Sequence, residues 1–174
     1  PTGYVSGVKL RIMQPNLPQD DKFNYSAKAQ VMDRYLRLSD RATGPQSSGL
    51  RDVTHLIWPE AAFPFFLSRE PDALAQITTL LKPSTVLITG AVRPASNAST
   101  TDFRAYNSVY VIDPDGSIRG VYDKVHLVPF GEYLPFQRLL ERVGLMQLTK
   151  VIGGFLSGDR RRAMDVGRAP KMLP

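Results

Sequence analysis

Cysteine is absent from the 174 residues of this chain. The chain therefore contains no disulfide bond, no thiolate metal site and no thiol nucleophile of its own. Histidine is scarce too, since only His55 and His126 are present, and their separation does not match the short spacing of a metal-binding motif. We therefore predict that the chain binds no metal ion and needs no cofactor.

Long apolar runs are also missing. No stretch approaches the roughly 18 to 20 apolar residues that a membrane-spanning helix needs, and no signal-peptide pattern is present. The 174 residues are therefore expected to be soluble. Residues 1–7, PTGYVSG, and residues 169–174, APKMLP, are interpreted as cut edges within a longer protein.

The net charge of +6 comes from 22 basic and 16 acidic residues. Such an excess favours anionic partners, among them nucleic acids and phospholipid headgroups. The basic residues are dispersed, however, apart from the arginines at 160–162, and no nucleic-acid-binding motif accompanies them. We therefore predict no nucleic-acid partner, and a solvated basic surface stays open as an alternative to a headgroup contact.

What is present indicates one globular domain. Hydrophobic residues make up 43% of the chain and charged residues 22%, which is ordinary for a folded soluble protein. The first half alternates between apolar runs of strand length, at 7–16, 54–59 and 84–92, and amphipathic stretches of helical spacing. This alternation predicts an α/β fold.

The two helices are predicted from apolar spacing and boundary residues. The first is expected over residues 20–42. For the second, Ser68 is a candidate N-cap and Pro71 lies in the expected first turn. Apolar residues recur at helical spacing on one face of each helix: Phe23, Ala27, Val31, Tyr35 and Leu38 in the first, and Ala73, Leu74, Ile77, Leu80 and Leu81 in the second.

The second half of the chain predicts a β-hairpin. Its second strand is expected over 117–128, after a Pro-Asp-Gly sequence that is typical of a tight turn. The two-residue period of that strand places Tyr122, Lys124 and His126 on one face. The sequence therefore predicts that Lys124 shares its surroundings with a tyrosine and a histidine.

Three charged residues are candidates for chemistry. Glu60 follows the second predicted strand, and the carboxyl ends of strands are where α/β folds build their sites. The Lys124 ammonium could stabilise negative charge on a reacting oxygen, and Glu132 follows a Pro-Phe-Gly turn that would let it reach this lysine. The alternatives are a solvated glutamate, a lysine that extends to solvent, and an incidental surface ion pair worth about 0 to 1 kcal/mol.

Three stretches together carry a family resemblance: IWPE at 57–60, YNSVYVIDPDG at 106–116 and YDKVHLVPFGEYLP at 122–135. They resemble the carbon-nitrogen hydrolase (nitrilase) superfamily, and most closely its branch of apolipoprotein N-acyltransferases. The resemblance covers about residues 8–150. It implies the α-β-β-α sandwich of that superfamily, incomplete at the C-terminus.

Residues 1–174 are accordingly interpreted as one partial carbon-nitrogen hydrolase domain. One short helix is expected within 137–150, and residues 151–174 are expected to form a loop. In the family, a cysteine nucleophile lies on a later strand. The resemblance places that strand beyond Pro174, so the cysteine is expected to be absent from this chain.

The resemblance also implies a role for each candidate residue. Glu60 matches the general base, Lys124 the cation that stabilises the tetrahedral oxyanion, and Glu132 the second glutamate, which orients the lysine. Phe23 stands where the acyltransferases often carry tryptophan, which keeps an aromatic wall but no indole N–H. Phe23 and Tyr133 are predicted to contact substrate.

The implied enzyme lies in the inner membrane with this domain on the periplasmic side. It would take an acyl chain from a phospholipid onto its cysteine as a thioester and pass it to the α-amino group of a diacylglyceryl apolipoprotein. Without the cysteine, the 174 residues are predicted to be inactive. A fragment of a soluble amidase or nitrilase and a non-catalytic domain on the same scaffold stay open as alternatives. An acyl pocket near Phe23, Phe63, Phe65 and Phe66 would favour the acyltransferase, although the AAFPFFL run after Glu60 could also be ordinary core.

Overall fold

One mixed β-sheet forms the centre of the computed structural model, which describes residues 3–18, 24–47, 49–95, 104–133 and 154–174. Two helices connect its first three strands, and this alternation confirms the predicted α/β fold. In the described part of the chain the elements are β1 (Leu10–Ile12), α1 (Lys28–Asp40), β2 (His55–Ile57), α2 (Pro71–Leu80), β3 (Val86–Pro94), β4 (Ala105–Ile112), β5 (Ile118–Asp123) and β6 (Phe155–Leu156).

The strands lie in the order β1-β2-β3-β4-β5, and β6 also pairs with β4. Strands β1, β2 and β3 are parallel, with Ile57 opposite Ile12 on one side and Ile88 on the other. Strands β4 and β5 form the predicted antiparallel hairpin, whose turn is closed by the Gly116 N–H donating to the Asp113 carbonyl at 2.9 Å. The carboxyl ends of the parallel strands meet at one edge of the sheet, where α/β folds build their sites.

Both helices form where their apolar spacing predicts them, but their starts differ from the prediction. Helix α1 begins at Lys28, after a short 3₁₀ turn that the Asn24 side chain caps. Helix α2 begins at Pro71 without a side-chain cap, so the prediction of a Ser68 N-cap was wrong; Ser68 lies within a preceding 3₁₀ turn. Proline has no N–H to satisfy and its φ is already helical, so the helix can start there without a capping side chain.

The two faces of the sheet are covered differently. Helices α1 and α2 pack on one face and bury the main core. A smaller cluster lies on the other face, where the segment after β6 packs against the strands. The main core includes Val31, Met32, Tyr35, Leu56, Trp58, Phe63, Phe65, Ala73, Ile77, Leu87 and Tyr110, and the smaller cluster includes Val86, Ile88, Val111, Tyr122, Met164 and Val166. One helix layer and one sheet are two of the four layers in an α-β-β-α sandwich.

The end of the hairpin differs from the prediction in an informative way. Strand β5 ends at Asp123, so the predicted strand over 117–128 was too long. Beyond that point β6 pairs with β4, placing Phe155 opposite Ala105, and so occupies the edge along which β5 would have continued. The predicted loop over 151–174 therefore contains a short strand, whereas the predicted helix within 137–150 lies outside the described residues.

Candidate active site

Glu60 is positioned by the residues that precede it. After β2 the chain passes through Trp58, which is buried and stacks on Tyr35 with 4.6 Å between ring centroids. The Trp58 indole Nε1–H donates to the Ser39 hydroxyl oxygen at 2.9 Å. Because a buried indole needs such an acceptor, this contact fixes the chain two residues before Glu60.

Gly90 in β3 brings the backbone of Glu60 against the sheet. The Gly90 N–H donates to the Pro59 carbonyl at 3.2 Å, and the Ala62 N–H donates to the Gly90 carbonyl at 3.1 Å. A Cβ at position 90 would lie 2.6 Å from the Glu60 Cα, closer than real Cβ atoms come to another atom. Glycine is therefore required for this approach.

Lys124 is held on both sides of its peptide backbone. Its N–H donates to the Asn107 carbonyl in β4 at 2.8 Å, and its carbonyl accepts from the Gly158 N–H at 2.9 Å. The chain then turns back, and the Glu132 N–H donates to the Val128 carbonyl at 2.8 Å. This turn brings Glu132 to Lys124, as the Pro-Phe-Gly sequence predicts.

The three predicted residues meet in one charged cluster. The Lys124 ammonium nitrogen lies 3.1 Å from Glu60 Oε1 and 3.0 Å from Glu132 Oε2. The glutamates are 64 and 8 positions from the lysine in sequence, so only the fold brings all three together. In such a cluster the exposed carboxylate can accept and return a proton. The ammonium can stabilise a negative charge that develops on a reacting oxygen.

Burial separates the two glutamates. The Glu132 side chain is 9% exposed and that of Glu60 is 61% exposed. Burial alone would raise the pKa of Glu132, but hydrogen bonds from the Val128 N–H, the Asn107 amide and Lys124 outweigh it and lower this pKa. Burial would lower the pKa of Lys124, but the hydrogen bonds to Glu132 and Glu60 raise it instead. Glu132 therefore stays ionised and Lys124 stays protonated near neutral pH.

Asn107 is a member of this cluster that the sequence reasoning missed. Its Nδ2 atom donates to Glu60 Oε1 and, at 2.7 Å, to Glu132 Oε1. Asparagine is disfavoured in strands, and Asn107 stands within β4, in which most residues are apolar or aromatic. A polar asparagine inside an otherwise apolar strand was therefore the feature of the sequence that could have identified Asn107 as a site residue.

A groove of about 380 Å³ lies beside the cluster. Its wall is mostly apolar, and the polar residues that line it include Glu60, Thr89, Asn107, Ser108 and Lys124. Tyr122 lines this groove together with Lys124, as the strand period predicts. His126 lies beyond the end of β5, is exposed, and is not among the lining residues, so its predicted place beside Lys124 was wrong.

The aromatic residues predicted to contact substrate or to line an acyl pocket lie in different parts of the chain. Phe23 lies outside the described residues, so its role stays a prediction. Tyr133 is 36% exposed and does not line the groove, although its carbonyl accepts the Phe130 N–H at 2.8 Å and so helps to close the turn. Phe63 and Phe65 are buried in the main core, as the alternative to an acyl pocket predicts.

Within the described ranges of the chain, no group of three or more His, Cys, Asp or Glu side chains is placed to hold a metal ion. Neither helix there is long and apolar enough to cross a membrane.

Curated relatives match all or nearly all of the chain. It is 65% identical to the apolipoprotein N-acyltransferase of Rhodopseudomonas palustris and 62% identical to that of Bradyrhizobium diazoefficiens, covering 100% of this chain and 33% of each relative. The corresponding protein of Brucella suis is 39% identical over 95% of this chain and 30% of its own length. The chain thus spans about a third of the length of these relatives. The predicted resemblance to this branch is confirmed.

Solved structures and a family model agree with these relatives at the level of fold and family. A carbon-nitrogen hydrolase from Helicobacter pylori G27 superposes with a TM-score of 0.57 at 16% identity, covering 92% of this chain and 49% of that protein. A mutant of an amidase of the nitrilase superfamily from Nesterenkonia AN1 gives a TM-score of 0.52 at 14% identity, covering 91% and 52%. These likenesses show the fold. The carbon-nitrogen hydrolase model matches residues 9–168, and the chain therefore belongs to the carbon-nitrogen hydrolase family.

Proposed function

We propose that the chain is part of the catalytic domain of an apolipoprotein N-acyltransferase. The observation that carries the proposal is the Lys124 ammonium between the carboxylates of Glu60 and Glu132. It occurs in a chain that is 65% identical over its whole length to a protein of that name. An acyl transfer needs a base beside its nucleophile and a fixed positive charge where the oxyanion forms.

Glu60 is proposed as the general base. Within the described part of the chain its contacts are made through Oε1 alone, and its side chain is mostly exposed. The carboxylate would take the proton from a cysteine thiol outside this chain as the sulfur attacks the ester carbonyl of a phospholipid. The carbon–sulfur bond forms, the ester carbon–oxygen bond breaks, and the proton goes to the leaving alcohol oxygen.

Glu60 would act again in the second half of the transfer. The α-amino group of a diacylglyceryl-cysteine apolipoprotein attacks the thioester carbonyl and gives a proton to Glu60. The carbon–nitrogen bond forms, the carbon–sulfur bond breaks, and the proton returns to the sulfur. One carboxylate can serve both steps because each step begins and ends with it deprotonated.

Lys124 is proposed to stabilise the tetrahedral oxyanion in both steps, and Glu132 to hold the lysine in place. The raised pKa of Lys124 keeps the ammonium charged at neutral pH. Both oxygens of Glu132 contact Lys124, which restricts where the ammonium can point. A fixed charge of this kind lowers the barrier because it needs no reorganisation as the oxyanion forms.

The proposal carries consequences for location and partners. The parent protein would lie in the inner membrane with this domain on the periplasmic side, a phospholipid as acyl donor and a diacylglyceryl apolipoprotein as acceptor. The net charge of +6 would suit an anionic headgroup surface, at about 1 kcal/mol for each basic residue close to it. Binding of the chain to anionic vesicles should then weaken as salt is added, and salt-insensitive binding would contradict this part of the proposal.

The proposal is tested in a chimera, because the chain alone has no cysteine. The matching third of the Rhodopseudomonas palustris relative is replaced by this chain. Acyl transfer is then measured from labelled phospholipid vesicles to a diacylglyceryl-cysteine lipopeptide. The chimera should transfer the acyl chain, and Glu60→Gln should lower the rate by about 10²- to 10⁴-fold, as expected for loss of a general base.

Controls separate this result from the alternatives. Asp33→Asn changes an exposed carboxylate of α1 and should leave the transfer rate unchanged. The 174-residue chain alone should show no turnover. A folded chimera that hydrolyses small amides but transfers no acyl chain would favour the amidase, and full transfer by the Glu60→Gln chimera would overturn the proposed role of Glu60.

A further inference from the structure

Asn107 contacts every charged member of the site. It lies in β4, is 7% exposed, and its Nδ2 atom donates to one oxygen of Glu60 and one oxygen of Glu132. Its backbone carbonyl accepts the N–H of Lys124 at 2.8 Å. A single buried residue is therefore bonded to both glutamates and to the lysine that lies between them.

The chemistry of the partners fixes which way the amide points. An ionised carboxylate accepts hydrogen bonds and donates none, so the atom of Asn107 that faces Glu60 and Glu132 must be the nitrogen. That nitrogen carries two N–H groups, one for each carboxylate. An oxygen in its place would meet two acceptors and find no hydrogen bond.

The charge balance explains why a neutral donor is useful there. Glu60 and Glu132 contribute two negative charges and Lys124 contributes one positive charge. Two carboxylates that share one site repel each other, and normally one of them becomes protonated. The Asn107 amide donates to both carboxylates without adding charge, and its hydrogen bond is one of the causes that lower the pKa of Glu132.

We propose that Asn107 is a positioning residue of the site, whose side-chain amide sets the placement of the Glu60 and Glu132 carboxylates around Lys124. Its effect on the arrangement of the charges follows from geometry alone. Its effect on turnover rests on the proposed acyltransferase function. The two parts are therefore tested with separate measurements.

The first test substitutes Asn107→Asp, which keeps the shape and replaces the two-donor nitrogen by an oxygen. The matched control is Asn24→Asp. The Asn24 side chain uses its oxygen to accept the Ser26 N–H at 3.0 Å, so aspartate can make the same contact. The measurement is an NMR titration of ¹³C-labelled glutamate carboxyl groups in the 174-residue chain, with circular dichroism to check that each variant is folded.

In the unchanged chain the pKa of Glu132 lies below its ordinary value, and the Asn107 hydrogen bond is one of the causes. Asn107→Asp should raise the pKa of Glu132 strongly, and Asn24→Asp should leave it unchanged. Asn107→Ala removes the donor without adding charge and should raise this pKa by less; it decides the matter if Asn107→Asp does not fold. An unchanged Glu132 pKa in the folded Asn107 variants would overturn the proposal.

The second test measures turnover in the chimera described above. Asn107→Asp should lower kcat by about 100-fold, as for other small misplacements of a reacting group. KM should change little, because the Asn107 Nδ2 atom already donates to the two glutamates. Equal loss in Asn24→Asp would indicate a general structural effect and contradict the proposal. If the unsubstituted chimera transfers nothing, the acyltransferase function fails, and the Glu132 titration still decides the role of Asn107.

Discussion

Two glutamates contact the same lysine, yet the structure holds them in opposite ways. Glu132 is fixed by its own side chain: Oε2 accepts the Val128 N–H at 2.9 Å, Oε1 accepts the Asn107 amide, and both contact Lys124. Glu60 is fixed by its neighbours, since Trp58 and Gly90 hold the backbone around it while its carboxylate is mostly exposed. The two glutamate side chains that contact Lys124 therefore differ in how freely their carboxylates can move.

The difference indicates how one site can use the same residue type twice. A buried carboxylate with all its acceptor positions engaged remains an anion and orients its partner. An exposed carboxylate with one oxygen engaged can give up and take protons. This contrast supports the roles proposed above, a fixed charge for Glu132 and proton transfer for Glu60, and four measurements test it.

The largest effect is expected from Glu132→Gln. An amide has one acceptor oxygen, so either the Val128 N–H or the Asn107 amide is left unpaired in a buried place. The free energy of unfolding should fall by about 3 kcal/mol. The matched change Glu60→Gln should cost no more than about 1 kcal/mol, because that ion pair is exposed. Urea unfolding followed by the fluorescence of Trp58, the single tryptophan, measures both free energies. Equal losses would contradict the difference drawn between the two glutamates.

The next effect is expected from Gly90→Ala, which places a Cβ against the Glu60 backbone. The free energy of unfolding should fall by about 2 kcal/mol, as for other overpacked sites. The matched control is Gly120→Ala in β5, where the new Cβ would lie 3.6 Å from the end of the Met164 side chain, an ordinary contact. That variant should gain up to about 1 kcal/mol from the stiffer unfolded chain. Equal changes at the two positions would show that Gly90 does not support Glu60 in this way.

A smaller effect is expected from Ser39→Ala, which removes the acceptor of the Trp58 indole N–H. The free energy of unfolding should fall by about 1 kcal/mol because a buried donor is left unpaired. Ser68→Ala is the control, since Ser68 is exposed and makes no helix cap, and its effect should stay within about 0.5 kcal/mol. A loss at Ser68 as large as that at Ser39 would instead support the abandoned N-cap prediction.

The smallest effect is expected in the dependence of stability on pH. The pKa of Glu132 is lowered by folding, so its contribution is present above the ordinary glutamate value of about 4.3 and is lost as pH falls through the lower folded pKa. The pKa of Lys124 is raised, so its contribution is present below about 10.4 and is lost as pH rises through the higher folded pKa.

Variants that remove one charge at a time separate the contributions of Glu132 and Lys124 to the free energy of unfolding from those of other titrating groups. The difference in unfolding free energy between the unchanged chain and Glu132→Gln should shrink below about pH 4, and the difference from Lys124→Met should shrink above about pH 10. Each is read from urea unfolding at a series of pH values. A difference that stays constant across either range would contradict the corresponding pKa shift.

Much of the fold could be predicted because its signals are local. Helical spacing and β-branched runs gave α1, α2 and β3, and the Pro-Asp-Gly sequence gave the hairpin. The end of β5 could not be predicted from its own residues. It is set by β6, which lies more than thirty positions after β5 in the chain and pairs with β4 where β5 would have continued. The Ser68 cap failed because Pro71 made a capping side chain unnecessary.

The chemical types at the site could be predicted from the chain's own motifs: a carboxylate after β2, a lysine after β5 and a second carboxylate beyond a turn. Local spacing and the family resemblance suffice for these because each lies in its own short motif. The burial of Glu132, the exposure of Glu60 and the hydrogen bonds from Asn107 to both are set by how the chain folds in three dimensions. Burial and bridging depend on atoms from separate strands, and no local pattern in the chain records how those strands meet.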